Sequence, residues 1–220
     1  MLETNQLYPS GVIHLFHKAR VDDWKNNKTY CFKKGEQITY PGKLTDEIYL
    51  VVDGNARIFH VHPDGKECVL GLLSEGDFID LSSAFIDKES DAYSIALTEV
   101  MVVKVRIQEI REEVIQTPDL ALALLHHFST RLRDVVHILE QVAYEKVEER
   151  LINLFKKLMD PKNEVDGWLP LPPFITHKDI AGMIASTRET VTFLINKLSQ
   201  NEVIRNENSR LWISKKSVEM

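Results

Sequence analysis

The chain has little cysteine: Cys31 and Cys68 are its only thiols, 37 residues apart. Two thiols cannot build a structural zinc cluster or an iron–sulfur cluster held by four thiolates. Long apolar runs are also lacking. The purest, residues 120–125, is six residues long, where a membrane helix needs roughly 18, so no membrane contact is expected. The opening Met1-Leu2-Glu3-Thr4 has neither a basic stretch nor an apolar one, so nothing directs export and a cytoplasmic setting is expected. No nucleophile–base pair, phosphate-cradling loop, carboxylate dyad or cofactor motif stands out. What remains is an ordinary folding composition, 44% hydrophobic and 27% charged, which excludes wholesale disorder and fibrous repeats. At 220 residues the chain exceeds the usual single domain of about 100–200, so more than one domain is expected.

Net charge is −6, but its distribution is uneven: residues 1–106 carry −4, residues 107–167 carry −4, and residues 168–220 carry +2. A polyanion would therefore be met by the last quarter. The first half reads as β structure. Short β-branched runs (residues 48–52, 57–61, 68–70 and 100–103) alternate with turns at Lys34-Gly35-Glu36, Pro41-Gly42, Asp53-Gly54-Asn55, Pro63-Asp64-Gly65 and Glu75-Gly76-Asp77. Turns this frequent leave no room for crossover helices, so a small barrel or double-sheet roll is expected.

From Ile107 the period changes. Ala121, Leu125, Phe128, Leu132, Val135, Leu139 and Val142 alternate spacings of four and three, a heptad seam on a helix that begins with Pro118 after a potential Thr117 cap. The seam packs on its own roll, or Leu125, Phe128, Leu132, Val135, Leu139 and Val142 pair with a second copy, or both, one face against each. A further amphipathic helix is expected over residues 146–160, ending before Pro161.

The tail is the informative part. Thr176 caps a short helix, Ala185-Ser186 breaks it, and Thr187 caps a second one, the spacing of a helix-turn-helix. Residues 203–205 and 210–213 flank Asn206-Glu207-Asn208-Ser209 as a two-stranded wing. At about 100° per residue, Val191, Leu194, Ile195 and Leu198 must face the core. Glu189, Thr192, Phe193 and Asn196 then point away, with Arg188 at the edge. An outward Phe193 is either covered by the wing or a neighbouring subunit, or it meets thymine methyl groups. Arg188 is expected on guanine or on phosphate, and Glu189 on cytosine N4. Thr176, Thr187 and Thr190, at helix N-termini, are expected on phosphates, and the adjoining His177 and Lys178 are expected at the DNA.

Gly35-Glu36, Gly54, Gly65-Lys66-Glu67, Glu75-Gly76-Asp77-Phe78, the long helix after Pro118-Asp119 and Arg188-Glu189-Thr190-Val191 together resemble the CRP/FNR transcription regulators over roughly residues 28–215. The resemblance implies an α+β chain in three parts. These are an N-terminal antiparallel β-roll of the double-stranded jelly-roll type (residues 1–117), a dimerisation helix with a hinge near Ala143-Tyr144-Glu145 (residues 118–145), and a C-terminal winged helix-turn-helix (residues 146–220). It also implies a homodimer on a palindromic double-stranded operator, with RNA polymerase as a further partner. Several positions depart from the family. Phe193 replaces a guanine-reading arginine, and Ala185 replaces a turn glycine. The cyclic AMP-recognising positions hold Ile79-Asp80 and Ser90-Asp91, with Val135 and Val136 on the helix, so cyclic AMP is not the expected signal. The effector pocket is expected between Phe78, Asp80, Leu81, Ser82 and Asp91 on the roll and Leu132, Val135 and Val136 on the helix. That lining suits a neutral or cationic organic ligand, or none. His126, His127 and His137 offer haem ligands, although helix histidines are ordinarily solvated; Cys31 and Cys68 form a redox pair or, more commonly, stay buried thiols.

Two other classes compete. Gly54, His60-Val61-His62 and Glu67 fit the first metal motif of the cupins, which would make the chain a metal-dependent enzyme; the tight Pro63-Asp64-Gly65 turn instead argues for a solvated hairpin tip. Alternatively the tail contacts protein rather than DNA.

Overall fold

A computed structural model describes residues 11–42, 44–86 and 89–219; the opening four residues read above for an export signal lie outside them. By contacts the chain divides into two compact units, one ending at Val136 and one from His137 onward.

In the first unit a 3-10 turn (Val12–Leu15) and helix α1 (Lys18–Lys25) precede eight strands: β1 (Thr29–Phe32), β2 (Gln37–Thr39), β3 (Glu47–Asp53), β4 (Ala56–Val61), β5 (Glu67–Leu73), β6 (Phe78–Ile79), β7 (Tyr93–Ala96) and β8 (Val100–Arg106). They form two four-stranded sheets, ordered β1-β8-β3-β6 and β2-β7-β4-β5, and every pairing is antiparallel. The four β runs expected from the sequence coincide with β3, β4, β5 and β8. Gly54 shows why the β3–β4 turn needs glycine. Its φ is +88°, and a Cβ there would fall 2.1 Å from the carbonyl oxygen of Glu99, so any side chain would clash as well as strain the backbone.

Alternation along each strand sends one set of side chains between the sheets and the other outward. Ile38, Val51, Ile79, Ala96 and Val102 fill the space between the sheets. On the other side of the first sheet, Trp24, Phe16 and Phe78 meet edge to face at 5.2–5.7 Å and join Leu50, Val103, Leu120 and Leu124 in a second core. Helix α2 (Ile107–Gln116) closes this core with Ile107 and Ile110; the sequence pattern assigned no helix of its own to these residues.

Helix α3 (Pro118–Tyr144) runs 27 residues. Leu120 and Leu124 bind it to the roll core, while Leu125, Leu132, Val135, Leu139 and Val142 are 41–65% exposed. Phe128 is half-buried against Phe85, ring centroids 5.9 Å apart. The seam is therefore not used up by the roll. Among the described residues no helix is long and apolar enough to cross a membrane.

The second unit contains α4 (Val147–Leu158), β9 (Trp168–Pro170), α5 (His177–Met183), α6 (Arg188–Gln200), β10 (Ile204–Glu207), β11 (Arg210–Ser214) and α7 (Lys215–Glu219). Glu145, between α3 and α4, accepts hydrogen bonds from Gln141 and from Asn153 at 3.0 Å, which stitches the expected hinge segment to both helices. The wing has a third strand the sequence reading missed: β9 pairs with β11. Pro170 disguised it, and its edge position explains why a proline is tolerated.

Candidate nucleic-acid interface

Helices α5 and α6 each begin with a threonine cap. Thr176 Oγ1 accepts from the backbone N–H of Asp179 at 3.2 Å, while the Asp179 carboxylate accepts from Thr176 N–H at 2.9 Å and from its hydroxyl at 2.7 Å, a reciprocal capping box. Thr187 Oγ1 likewise accepts from Thr190 N–H at 3.2 Å. Between the helices Ala185 takes φ +51°, the left-handed conformation that favours glycine, and the turn closes with Ser186 N–H on Ala181 O at 2.9 Å.

Helix α6 buries Val191, Leu194, Ile195 and Leu198, the four positions the helical wheel assigned to the core. Arg188, Glu189, Phe193 and Asn196 are exposed on its other face. Phe193 is 66% exposed, so the wing does not cover it. Lys197 Nζ donates to Glu148 of α4 at 2.6 Å. In the wing, the Arg205 guanidinium lies 4.9 and 5.0 Å from the rings of Trp168 and Trp212, and the β10–β11 turn is carried by Asn208 and Ser209, both at positive φ.

The nine residues expected to meet DNA all lie on the first two turns of α5 and α6 or at their caps. Thr176, Lys178, Thr187, Arg188, Glu189 and Phe193 are exposed; His177, Thr190 and Thr192 are partly buried. Thr192 differs from expectation in that its hydroxyl is engaged internally, donating to the Arg188 carbonyl oxygen at 2.9 Å and standing 2.9 Å from His177 Nδ1. Burial and the nearby Arg188 hold His177 below the ordinary histidine pKa. Sequence periodicity could not have found this contact, because it joins two helices.

The expected effector residues are spread out. Phe78 and Leu81 are in the roll core, Ser82 and Asp91 are at the surface, and Leu132, Val135 and Val136 are exposed on α3. Asp80 lines an open cleft of about 550 Å³ bounded also by Ile38, Tyr40, Tyr49, Ser90 and the Glu47–Lys104 ion pair. Asp80 sits at φ +62° and accepts from the hydroxyls of Ser82 and Ser83.

The metal reading needs correction. Glu67 lies 2.6 Å from Arg57, His60 stands 3.1 Å from Asp91, and His62, beyond the end of β4, accepts from the Asp64 backbone N–H. The three do not converge, and among the described residues no group of three or more histidine, cysteine or acidic side chains could hold a metal. Cys31 and Cys68 also depart from expectation: both are exposed free thiols, on β1 and β5, edge strands of different sheets. His126 and His137 are exposed, and His127 is partly buried.

Residues 31–116 match the cyclic nucleotide-binding domain, and residues 146–217 match the Crp-like helix-turn-helix domain. The chain is 28% identical over 190 residues to the global nitrogen regulator of Synechococcus elongatus, covering 83% of each chain. It is also 28% identical to the transcriptional regulator SdrP of Thermus thermophilus, covering 84% of this chain and 89% of that one. Among solved structures it is similar to a CRP/FNR-family transcriptional regulator of Thermus thermophilus, with TM-score 0.66, 26% identity, and coverage of 87% of this chain and 96% of that one. The c-di-GMP-responsive global regulator CLP of Xanthomonas campestris shares the fold at TM-score 0.76 and 17% identity, over 90% of this chain and 99% of that one.

Proposed function

The chain belongs to the CRP/FNR family of DNA-binding transcription regulators, and we propose that it acts in the cytoplasm as a homodimer on a two-fold symmetric operator, under a signal other than cyclic AMP. The observation that carries this reading is the outward face of α6. Its first turn offers Arg188 and Glu189 beside an exposed Phe193, on a helix whose opposite side is wholly buried. Polar groups that pair with base edges beside an apolar ring suited to thymine methyls make a major-groove reader.

Dimerisation is supported by the apolar stripe left open along α3. Pairing two such stripes buries side chains that otherwise stand in water, and it sets two reading helices for successive major grooves about 34 Å apart. A signal that changes this pairing would pass through the segment around Glu145 to the reading helices. The proposed functional division remains residues 1–117, 118–145 and 146–220, with RNA polymerase as the partner on the promoter.

Against cyclic AMP stand Ser90 and Asp91, which put a carboxylate and no arginine at the positions that match the family's phosphate-binding pair. The cleft at Asp80 offers aromatic and aliphatic walls with a net acidic lining, which favours a neutral or cationic organic effector. Selection of binding sites from random duplex DNA tests the reading. A palindromic consensus supports it, and recovery of unselected sequence overturns it. Glu67, held by Arg57, supplies no observation for an enzyme.

A further inference from the structure

His177 and Thr192 are joined across the helix-turn-helix, with imidazole Nδ1 2.9 Å from the threonine Oγ1. The threonine hydroxyl has a single proton, and it goes to the Arg188 carbonyl oxygen at 2.9 Å. Its oxygen is then left to accept, so the imidazole must donate and Nδ1 carries the ring proton. In the neutral ring Nε2 is therefore a bare lone pair. That polarity cannot engage a phosphate oxygen, which also only accepts. A proton added at Nε2 converts the same ring into a cationic donor without disturbing the bond to Thr192.

The charged group shown to act on the ring is Arg188 of α6; Lys178, Asp179 and Glu189 are its charged neighbours along the two helices. On α5, Lys178 is exposed, and Asp179 is buried and turned into the Thr176 cap. On α6, Arg188 and Glu189 are exposed. The Arg188 guanidinium, together with burial, holds the ring below its ordinary pKa, so the free protein keeps it neutral at physiological pH.

We propose that His177 is a positioning residue whose protonation is linked to DNA binding: the unbound ring is neutral and tied to Thr192, and on the duplex it takes a proton from solvent at Nε2 and donates it to a backbone phosphate oxygen. This inference rests on the DNA-binding reading above. Its consequence is directional. The bound form holds the proton more tightly than the free form, so affinity rises as pH falls between the two pKa values, by at most about tenfold per pH unit for one proton.

The test is the Kd for the selected operator at constant ionic strength, from about pH 8 to about pH 6, for the native protein, His177→Gln and Thr192→Val, each checked for folding by circular dichroism. The native protein should bind several-fold more tightly at the acid end. His177→Gln, whose amide donates at every pH, should lose that dependence. Thr192→Val frees the neutral ring to carry its proton on Nε2, so, whatever its absolute affinity, its pH profile should be shallower than the native one. A native profile that is flat while binding stays sequence-specific overturns the proton linkage alone, as does a slope unchanged in His177→Gln. Absence of duplex binding at every pH overturns the DNA-binding reading as well.

Discussion

Arg57 of β4 and Glu67 of β5 form an ion pair at 2.6 Å inside the roll, with the arginine almost wholly buried. The guanidinium also lies 4.3 Å from the Phe59 ring centroid. A carboxylate held this way is a structural counter-charge. Glu67→Gln should lower stability by about 2 kcal/mol, since the buried Arg57 charge loses this carboxylate, while added zinc should leave thermal melting of both proteins unchanged. Zinc-dependent stabilisation of the native protein that disappears in the variant would restore the metal reading.

Ala185 has φ +51° in the helix-turn-helix. Ala185→Gly removes the clash that an L side chain suffers there, a gain partly offset by the greater freedom of glycine in the unfolded chain. Stability of the second unit should rise by up to about 1 kcal/mol. A fall in the denaturation midpoint would show that the alanine methyl makes a contact outweighing the strain.

The Asp77 carboxyl is buried and accepts from the Ser74 backbone and hydroxyl through one oxygen, with the Val12 backbone N–H also acting on the carboxyl. Burial pushes its pKa up from 3.8 to about 6. Between these values the folded chain binds the proton that the unfolded chain releases, so stability from this group falls as pH rises from about 4 to about 6 and stays lower above that, by at most about 3 kcal/mol. Asp77→Asn should flatten that part of the profile and raise the melting temperature at neutral pH. An unchanged profile would show that Asp77 is ionised at little cost.

Arg188→Ala should weaken specific binding by roughly 1–3 kcal/mol if the guanidinium reads a base. An equal loss on random duplex would make it a phosphate contact. Phe193→Arg should move the selected consensus towards guanine, and an unchanged consensus would remove the thymine-methyl role.

What was legible in the sequence is what depends on short-range pattern. The Thr176 and Thr187 caps, the buried quartet of α6, the β3, β4, β5 and β8 runs and the wing hairpin all follow from spacing within one element. Contacts between elements were hidden. His177 with Thr192 and Glu67 with Arg57 pair residues whose proximity only the fold creates, and Glu67 looked like a metal ligand because its partner was invisible. The effector residues failed to gather for a related reason: positions carried over from a resemblance fix places along the chain, but whether Phe78 and Leu81 face a cavity or a core is decided by packing, and here Trp24 and Phe16 claim that face.

The central claim is that two copies joined along α3 read one operator. Leu132, 65% exposed in one chain, can become lysine without unfolding the roll, and Leu132→Lys should leave monomers with weakened operator binding. The direct measurement is the mass of the complex on its selected palindromic duplex, by sedimentation or light scattering. The account predicts two 25.3 kDa chains on each duplex, with protein that is already dimeric when free. One chain per duplex, bound equally well to a single half-site, would contradict it.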